Sequence, residues 1–507
     1  MKIKYYFAIF CTFFSKVNKI VNEFYLWLCY NYMNKHALLV YCVKLGGKRV
    51  KHEKTFVSDI KIAYIGGGSR GWAWTLMNDL AKAEDMSGSV YLYDIDYEAA
   101  KNNEVIGGKI GGNWSYVATK TIGEALTGAD FVILSILPGT FDEMAYDVHS
   151  PEKYGIYQSV GDTTGPGGML RAMRTVPMIR EIARAIKEYS PNAWVINYTN
   201  PMAICVKTLY EEFPEIKAFG CCHEVFGTQK LLSQALEDIH GIEGAKRSEI
   251  CVNVVGINHF TWFTSAKYKN IDLFDTYRQF VDKYYETGFS KGKHGNWANN
   301  SFASAARVRF DLFRRFGYIA AAGDRHLAEF CDRDEYLTSP ETVSEWTFGL
   351  TTVEWRKNDL VKRLEKSQRL LSGEEEFKLH DSGEEGVNQI RALLGLDKLV
   401  TNVNIPNRGQ IENLPLGSVV ETNAVFSADS VIPVMAGKLP ESIYAKVAKV
   451  SEENDRAVEA AFSEDLSLCF EVFCESHLLK DLTAEQKRAL FDEMYEGTKK
   501  YLSMYKA

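Results

Sequence analysis

A glycine-rich turn between a predicted strand and a predicted helix constrains the fold of this chain more than any other feature. Residues 61–65, Lys-Ile-Ala-Tyr-Ile, form an apolar strand pattern, and a helical pattern covers Trp72–Lys82. Between them, the residues from Gly66 to Gly71 match the pattern G-x-G-x-x-G. In this pattern Gly66 permits the tight turn, Gly68 lets a pyrophosphate approach the backbone, and Gly71 lets the helix pack closely on the strand. The context predicts a dinucleotide-binding site at the start of the helix.

The residues around this turn also indicate which dinucleotide would bind. Ser69 and Arg70 complete the loop, and Asp94 follows the next strand pattern, residues 90–93, about 20 residues beyond the last glycine. An acid at this place accepts hydrogen bonds from ribose hydroxyls and favours NAD over NADP. A structural glycine turn with an acid downstream by chance is the alternative interpretation.

The following segments alternate strands and helices, as expected of an α/β fold. Residues 130–136 and 193–197 are nearly all apolar, which is typical of strands buried on both faces, and residues 177–189 have a helical pattern. Asn200 and a proline follow the last of these strands, where ligands bind in such sheets and where a cis bond is possible. We predict that Asn200 contacts a sugar or a nicotinamide, and that the glycine-dense loop 161–168 lies beside it.

The second half of the chain has a mainly helical pattern, which indicates an α+β substrate domain. Helical spacing covers residues 297–316 and 439–473, residues 414–434 have a strand-like composition, and residues 373–409 are predicted to be rich in loops. Residues 483–486, Thr-Ala-Glu-Gln, resemble a capping box at the start of a final helix.

The N-terminal residues contain a short apolar segment. A basic start precedes a short apolar run at residues 5–14, which resembles a signal peptide. No small-x-small cleavage site follows the run, and it is shorter than the roughly 20 residues that span a bilayer. We therefore predict either a loosely attached extension or upstream sequence translated ahead of the true start, without a membrane role. The predicted organisation is an extension at 1–57, a Rossmann-like NAD-binding domain at 58–250, and a substrate- and metal-binding α+β domain at 251–507.

Composition argues against some classes of partner. The formal net charge is −7 and no dense stripe of Lys and Arg is present, so we expect no nucleic acid partner. The ten cysteines show no regular disulfide spacing, which favours a reduced, cytoplasmic location.

Two strand ends carry side chains that bind metals. Cys222 follows the apolar segment 217–221, and His259 follows the apolar segment 251–257. A thiolate and an imidazole together could hold a divalent ion and leave positions open for substrate oxygens. Spacing alone leaves a second interpretation open, in which the cysteine and the histidine are simply buried.

A resemblance to a known family favours the metal-site interpretation. Its motifs occur in a fixed order along the chain and cover roughly residues 60–500. These motifs are Gly66 to Gly71, Thr199-Asn200-Pro201, Cys222-His223-Glu224-Val225, Gly256-Ile257-Asn258-His259, Asn404-Ile405-Pro406-Asn407, Gly409 and Ile411-Glu412-Asn413-Leu414-Pro415. Together they resemble glycoside hydrolase family 4, whose first domain is similar to malate and lactate dehydrogenases and whose members use NAD and usually Mn²⁺. The Cys-His-Glu-Val form resembles the α-galacturonidases of that family, whereas other members carry Cys-His-Ser, Cys-His-Gly or Cys-Asn there.

The resemblance implies a role for several of these residues. Cys222 and His259 are implied as metal ligands, His223 as the proton donor to the leaving group, and Asn200 as a substrate contact. The segment 320–326 matches the region that supplies the base at C2 of the sugar. Asp324 is the first candidate for this base, and His326 is the alternative.

The C6 carboxylate of a galacturonide predicts a cationic subsite. Arginine suits such a group because it can bind both carboxylate oxygens at once. The candidates are Arg171 and Arg174, just after the glycine-dense loop, and Arg325. Each of them could instead face the solvent or the phosphates of NAD.

The resemblance also implies a mechanism. Hydride transfer from C3 to NAD makes the proton on C2 acidic, elimination expels the group at C1, and water addition and return of the hydride complete the cycle. A thiolate ligand would suit a softer ion than Mn²⁺, so Mn²⁺ depends on the resemblance. A homodimer or homotetramer is also implied.

Several rival functions remain open from the sequence. An α-glucosidase, α-galactosidase or α-glucuronidase of the same family differs only in substrate. A simple NAD-dependent hydroxy-acid dehydrogenase would accumulate NADH, and an NAD-binding sensor would not need Cys222 or His259.

Overall fold

The computed structural model describes residues 50–53, 55–290 and 304–506. The predicted extension at residues 1–57 therefore lies mostly outside the described residues. Residues Val50–Ala507 form one unit by their internal contacts.

The strands of this unit form a ten-stranded sheet and a four-stranded sheet. In chain order they are β1 Lys51–Glu53, β2 Phe56–Ile65, β3 Met86–Tyr93, β4 Trp114–Thr119, β5 Phe131–Leu134, β6 Trp194–Asn197, β7 Lys217–Gly220, β8 Ile250–Ile257, β9 Phe260–Tyr268, β10 Ile271–Asp272, β11 Ile319–Ala320, β12 Leu399–Pro406, β13 Val419–Ser427 and β14 Ser430–Pro433. The larger sheet has the order β14-β13-β12-β7-β6-β5-β2-β3-β4, with β1 on β2. From β4 to β7 the neighbours are parallel, in the strand order of a dinucleotide-binding fold. The predicted Rossmann-like fold is therefore confirmed.

The central strand β2 shows why its sequence is almost entirely apolar. Ile62 and Tyr64 belong to one buried cluster, and Ala63 and Ile65 belong to another. Successive side chains of a strand point to opposite faces, so each of these clusters lies on its own side of the sheet. Burial on both faces removes the polar positions that a strand with one solvated face would show.

The helices that accompany the sheets agree only partly with the predicted ones. They are Trp72–Lys82, Tyr97–Ile110, Ile122–Leu126, Phe141–His149, Gly165–Tyr189, Met202–Glu212, Glu224–His240, Leu273–Tyr284, Arg307–Phe316, Asp324–Glu329, Arg333–Tyr336, Pro340–Glu345, Val353–Ser372, Gly386–Leu393, Glu441–Ser463, Leu466–Cys474 and Ala484–Thr498. The helix Trp72–Lys82 has the predicted bounds, and the predicted capping box is present at Thr483 and Gln486.

The predicted start of a helix at residue 177 is wrong. Pro177 lies inside the helix Gly165–Tyr189, and Pro166 occupies its first turn. A proline inside a helix leaves the carbonyl four residues earlier without its usual donor. Here the Tyr505 hydroxyl donates to the Met173 carbonyl over 2.8 Å and replaces that donor. The glycine-dense loop 161–168 is accordingly shorter than predicted, since its second half is helical.

The second half of the chain agrees with the prediction in part. The segment 373–409, predicted to be rich in loops, contains the helix Gly386–Leu393 and the strand β12, and more than half of its residues lie outside these two elements. Strands β13 and β14 confirm the strand-like segment 414–434. Of the predicted helix 297–316, residues 307–316 are helical, and residues 291–303 lie outside the described part.

Strands β12 to β14 extend the sheet of the first half, because β12 pairs antiparallel with β7. The sheet thus contains strands from both halves of the chain, and the predicted domain boundary at residues 250 and 251 stays a prediction. Among the residues that the structure describes, no helix is long and apolar enough to cross a membrane.

Candidate functional site

The glycine loop after β2 is a tight turn whose geometry requires glycine. The amides of Gly66 and Gly67 both donate to the Tyr93 carbonyl, over 2.9 and 2.8 Å. Gly66 has a φ of +95°, and a Cβ at this position would lie 1.9 Å from the Ser135 carbonyl oxygen. Only glycine fits a left-handed conformation with backbone this close.

Asp94, the acid predicted to bind the ribose, contacts the loop directly. The Gly68 amide donates to Oδ2 of Asp94 over 2.9 Å, and a Cβ on Gly68 would lie 2.6 Å from the Ala99 Cβ. Burial raises the pKa of Asp94, while the Asp96 and Gly68 amides and the charge of Arg70 act against that rise. The loop and the predicted ribose acid are therefore one hydrogen-bonded unit.

The packing explanation predicted for Gly71 is wrong. A Cβ on Gly71 would lie 2.2 Å from the guanidinium of Arg363, which belongs to the helix Val353–Ser372. The glycine that packs on a strand is Gly67, where a Cβ would lie 2.8 Å from the backbone of Leu92.

Asn103 supports the loop and was missed by sequence reasoning. Its amide nitrogen donates to the carbonyls of Gly67 and Ser69, over 2.8 and 2.9 Å, and its oxygen accepts from the Trp74 indole over 2.8 Å. The side chain is buried within the helix Tyr97–Ile110. A buried asparagine in a helix needs partners elsewhere, and only the fold supplies these.

The end of β6 places Asn200 at the predicted edge of the sheet. The Asn200–Pro201 peptide bond is cis, as the sequence allowed. The Thr199 hydroxyl accepts from the Ile136 amide over 2.9 Å and joins the ends of two neighbouring strands. Oδ1 of Asn200 is buried and has no hydrogen-bond partner among the described residues. An unpartnered buried oxygen is available to a ligand.

The structure connects Cys222 to the residue before His259 through a buried network. Asn402 Nδ2 donates to the Cys222 carbonyl over 3.0 Å and to Glu421 over 2.6 Å. Asn258 Nδ2 donates to the other oxygen of Glu421 over 3.0 Å. Burial raises the pKa of the Cys222 thiol well above its usual value, with Glu421 and Glu224 adding to the effect. Burial also raises the pKa of Glu421 to about 6.

The donors around Cys222 and His259 fit a metal only in part. Over residues 50–53, 55–290 and 304–506, no group of three or more His, Cys, Asp or Glu side chains is arranged to hold a metal ion. Cys222 and His259 would supply two protein ligands and leave the other positions to substrate oxygens.

A second histidine, His326, lies in contact with His259. The rings of His259 and His326 are 4.1 Å apart, and Nδ1 of His259 lies 3.5 Å from the Thr163 hydroxyl. Nε2 of His326 lies 3.6 Å from Glu224, which accepts from the Gly323 amide over 2.7 Å. Burial lowers the pKa of His326 to about 3, and the neighbouring His259 contributes. Nδ1 of His326 has no hydrogen-bond partner in the described part of the chain.

His223 is held by an acid that the sequence analysis did not single out. Nδ1 of His223 lies 3.1 Å from Glu384, and the ring stacks on Trp72 at 5.8 Å between centroids. The hydrogen bond with Glu384 raises the pKa of His223 although burial opposes it. The segment that carries Glu384 is anchored four residues earlier, where the His380 amide donates to Asn78 over 2.9 Å.

Asp324, the other candidate for the base at C2, uses both carboxylate oxygens within the fold. Oδ2 accepts from the Ser304 hydroxyl over 2.9 Å, and Oδ1 accepts from the Arg309 amide over 3.2 Å near the start of the helix Arg307–Phe316. These are contacts of a residue that stabilises a helix start. His326 has the unpartnered nitrogen, and the choice between the two stays a prediction.

The three arginine candidates have different surroundings. Arg174 is fully buried and binds both oxygens of Asp147, so its guanidinium stabilises the fold and is not available to a substrate. Arg325 donates to the Thr351 hydroxyl. Arg171 is buried, and its Nε and Nη1 have no hydrogen-bond partner among the described residues.

Comparison with known proteins assigns the chain to a family. The model described as Family 4 glycosyl hydrolase matches residues 61–238, and the model of its C-terminal domain matches residues 254–479. A protein of Thermoanaerobacterium saccharolyticum named Alpha-galacturonidase is 62% identical over 456 residues, which are 89% of this chain and 98% of the relative.

Solved structures share the fold. The Bacillus subtilis protein lplD has a TM-score of 0.83 at 50% identity, covering 86% of this chain and 100% of its own. A 6-phospho-alpha-glucosidase from gut microorganisms, solved in complex with NAD and Mn²⁺, has a TM-score of 0.73 at 19% identity, covering 87% of this chain and 99% of its own. The two matching models together cover most of the chain, and the chain belongs to the family 4 glycosyl hydrolases.

Proposed function

We propose that this enzyme is an NAD- and Mn²⁺-dependent α-galacturonidase that acts by oxidation, elimination and reduction. The observation that carries the proposal is the 62% identity to a protein named Alpha-galacturonidase along nearly its whole length. The motif Cys222-His223-Glu224-Val225 and the unpartnered Nε and Nη1 atoms of the buried Arg171 support a uronic acid as the sugar. NAD and Mn²⁺ are supported by the glycine loop, the Cys222 and His259 pair, and the complex of a protein with the same fold.

Each of the two cofactors has residues that would hold it. The loop from Gly66 to Gly71 would hold the pyrophosphate, and Asp94 retains lone pairs for the ribose hydroxyls beside its two backbone hydrogen bonds. Cys222 and His259 would hold the metal, with Glu421 setting the distance between their strand ends. When bound, NAD supplies a hydride acceptor for C3 of the sugar, and the metal supplies Lewis acidity beside it.

The chain's own side chains then move two protons. His223 donates a proton to the oxygen that leaves C1, and Glu384 holds the imidazole so that Nε2 is the donating nitrogen. His326, through its unpartnered Nδ1, or Asp324 removes the proton from C2. Asn200 offers a buried oxygen to a sugar hydroxyl.

One assay tests this function against its rivals. The enzyme is given 4-nitrophenyl α-galacturonide, and in parallel the α-glucoside, α-galactoside and α-glucuronide, with NAD and Mn²⁺ in D₂O. We expect the galacturonide to be turned over fastest, with deuterium at C2 of the released sugar and no net NADH. Net NADH without release of nitrophenol would identify a dehydrogenase instead. Release of nitrophenol with hydrogen retained at C2 would exclude the elimination mechanism.

The glycine loop gives a separate prediction about NAD binding. Gly66→Ala should weaken the affinity for NAD roughly 100-fold, because a Cβ cannot coexist with the Ser135 carbonyl without moving the loop. The matched control is Gly108→Ala on the exposed side of the helix Tyr97–Ile110, where a Cβ meets nothing within 4 Å. Calorimetric titration of each variant with NAD gives the two dissociation constants. Equal constants would remove the loop from the NAD site.

A further inference from the structure

A buried guanidinium with two unpartnered nitrogen atoms lies one turn from one that is fully paired. Arg171 and Arg174 both belong to the helix Gly165–Tyr189 and are both buried. Arg174 takes both oxygens of Asp147. Nε and Nη1 of Arg171 have no hydrogen-bond partner in the described part of the chain. Since a buried N–H donor without an acceptor is costly, Arg171 points to a ligand that supplies the missing acceptors.

A second arginine, which sequence reasoning did not single out, lies in the same electrostatic environment. Arg356 is in the first turns of the helix Val353–Ser372, and its Nε is buried without a partner among the described residues. The charges of Arg356 and Arg171 both act on the carboxylate of Asp162, and they hold the pKa of Asp162 below its usual value although burial opposes this. The charges of two guanidinium groups from helices in opposite halves of the chain therefore act on one carboxylate.

The carboxylates near these arginines do not satisfy their hydrogen-bond donors. The charges of Asp147, Asp162, Glu224 and Glu329 act on one or more of the three cations Arg171, Arg325 and Arg356. Asp147 is taken by Arg174, and one oxygen of Glu329 accepts from two backbone amides, over 2.7 and 2.9 Å. In the described part of the chain, none of these carboxylates accepts a hydrogen bond from Nε or Nη1 of Arg171 or from Nε of Arg356. The cluster therefore keeps unsatisfied guanidinium donors inside the protein.

Asp162, on which the charges of these arginines act, lies beside the candidate metal ligand His259. The Thr163 hydroxyl donates to Asp162 over 2.9 Å and lies 3.5 Å from Nδ1 of His259. The charge of Asp162 acts on both His259 and His326. A sugar whose C2 and C3 lie near His259 would thus extend towards the arginines.

We propose that Arg356 and Arg171 form the subsite that binds the C6 carboxylate of the substrate and so determine that the enzyme prefers uronides. This inference rests on the proposed function and adds Arg356 as a specificity-determining residue. Two guanidinium groups presented to one carboxylate give paired, charge-assisted hydrogen bonds. Asp162 offsets part of the positive charge of the pair.

The test compares two ligands that differ only at C6. The holoenzyme with NAD and Mn²⁺ is assayed on 4-nitrophenyl α-galacturonide and on the α-galactoside, and it is titrated with free galacturonic acid and free galactose. We expect Arg356→Gln and Arg171→Gln each to lower kcat/KM for the galacturonide about 100-fold, mainly through KM, because a buried charge partner is lost. Activity on the galactoside and affinity for galactose should change less than about 3-fold. Arg356→Lys should recover part of the loss.

A control variant and the contrary outcomes separate a failure of this inference from a failure of the proposed function. Arg369 lies on the same helix as Arg356 but pairs with the partly exposed Glu375. The control variant Arg369→Gln should therefore leave kcat/KM unchanged for both substrates. If Arg356→Gln folds and keeps the wild-type preference for galacturonic acid over galactose, the inference is wrong while the proposed function stands. If the wild-type enzyme does not act on galacturonides, the proposed function itself is wrong. Should Arg171→Gln fail to fold, the Arg356 series decides the matter alone.

Discussion

Replacing Cys222 by alanine is expected to lower kcat/KM on 4-nitrophenyl α-galacturonide about 1000-fold, since it removes one of only two proposed protein ligands of the metal. The affinity for Mn²⁺, measured by calorimetry on the NAD-loaded enzyme, should fall at least about 100-fold. Because the Cys222 carbonyl is held by Asn402 and not by the thiol, the strand end should keep its position in the variant.

The matched control for this variant is Cys469→Ala. Cys469 is equally buried, in the helix Leu466–Cys474, and burial likewise raises the pKa of its thiol to about 12. We expect this variant to lose some stability through its core position, with Mn²⁺ affinity and kcat/KM unchanged. An NAD-binding sensor or a metal-free enzyme would show normal behaviour in both variants, and normal Mn²⁺ binding by Cys222→Ala would contradict the metal site.

Removing His223 should slow the enzyme by an amount that depends on the leaving group. His223→Gln is expected to lower kcat on an unactivated galacturonide disaccharide by about 1000-fold, because the departing alkoxide then has no proton donor. On 4-nitrophenyl α-galacturonide the loss should be about 10-fold, because nitrophenolate leaves without a proton. Glu384→Gln should follow the same pattern with a smaller loss, since it weakens the orientation of His223 and leaves the imidazole present.

The control lies next to Glu384. Glu385→Gln removes the partner of Arg247, at 2.5 Å, and does not contact His223 in the structure. This variant tests whether disturbing the segment is enough to produce the effect. A loss of the same size on both substrates in His223→Gln would show that His223 positions the substrate and does not donate a proton.

Local periodicity and glycine spacing were sufficient to predict part of this fold from the sequence. The helix Trp72–Lys82 and the strand before it form from neighbouring residues, so their pattern is complete in a short window. The helix start at Gly165 was missed because Pro177 gives the stronger local signal. The carbonyl that Pro177 leaves free is satisfied by Tyr505, far along the chain.

Residues of the candidate site could be predicted from the sequence only where they belong to motifs. Cys222, His223 and Asn200 each follow a strand whose apolar run is visible, so their place at the edge of the sheet could be inferred. Glu384 and Arg356 belong to no such run, and Glu421 lies within the predicted strand-like segment 414–434 without a motif that marks it. Their places beside the candidate site come from interactions with residues of the other half of the chain.

The amino-acid sequence by itself determined the class of fold and the edge of the sheet at which the candidate site lies, because strand and helix periods and the glycine turn are set by near neighbours. The tertiary structure alone decided which arginine is paired and which keeps nitrogen atoms without a partner among the described residues. Arg171 and Arg174 are equivalent in the sequence, and only the approach of Asp147 from a separate helix distinguishes them. The function of a buried charged side chain depends on whether the fold places a partner beside it.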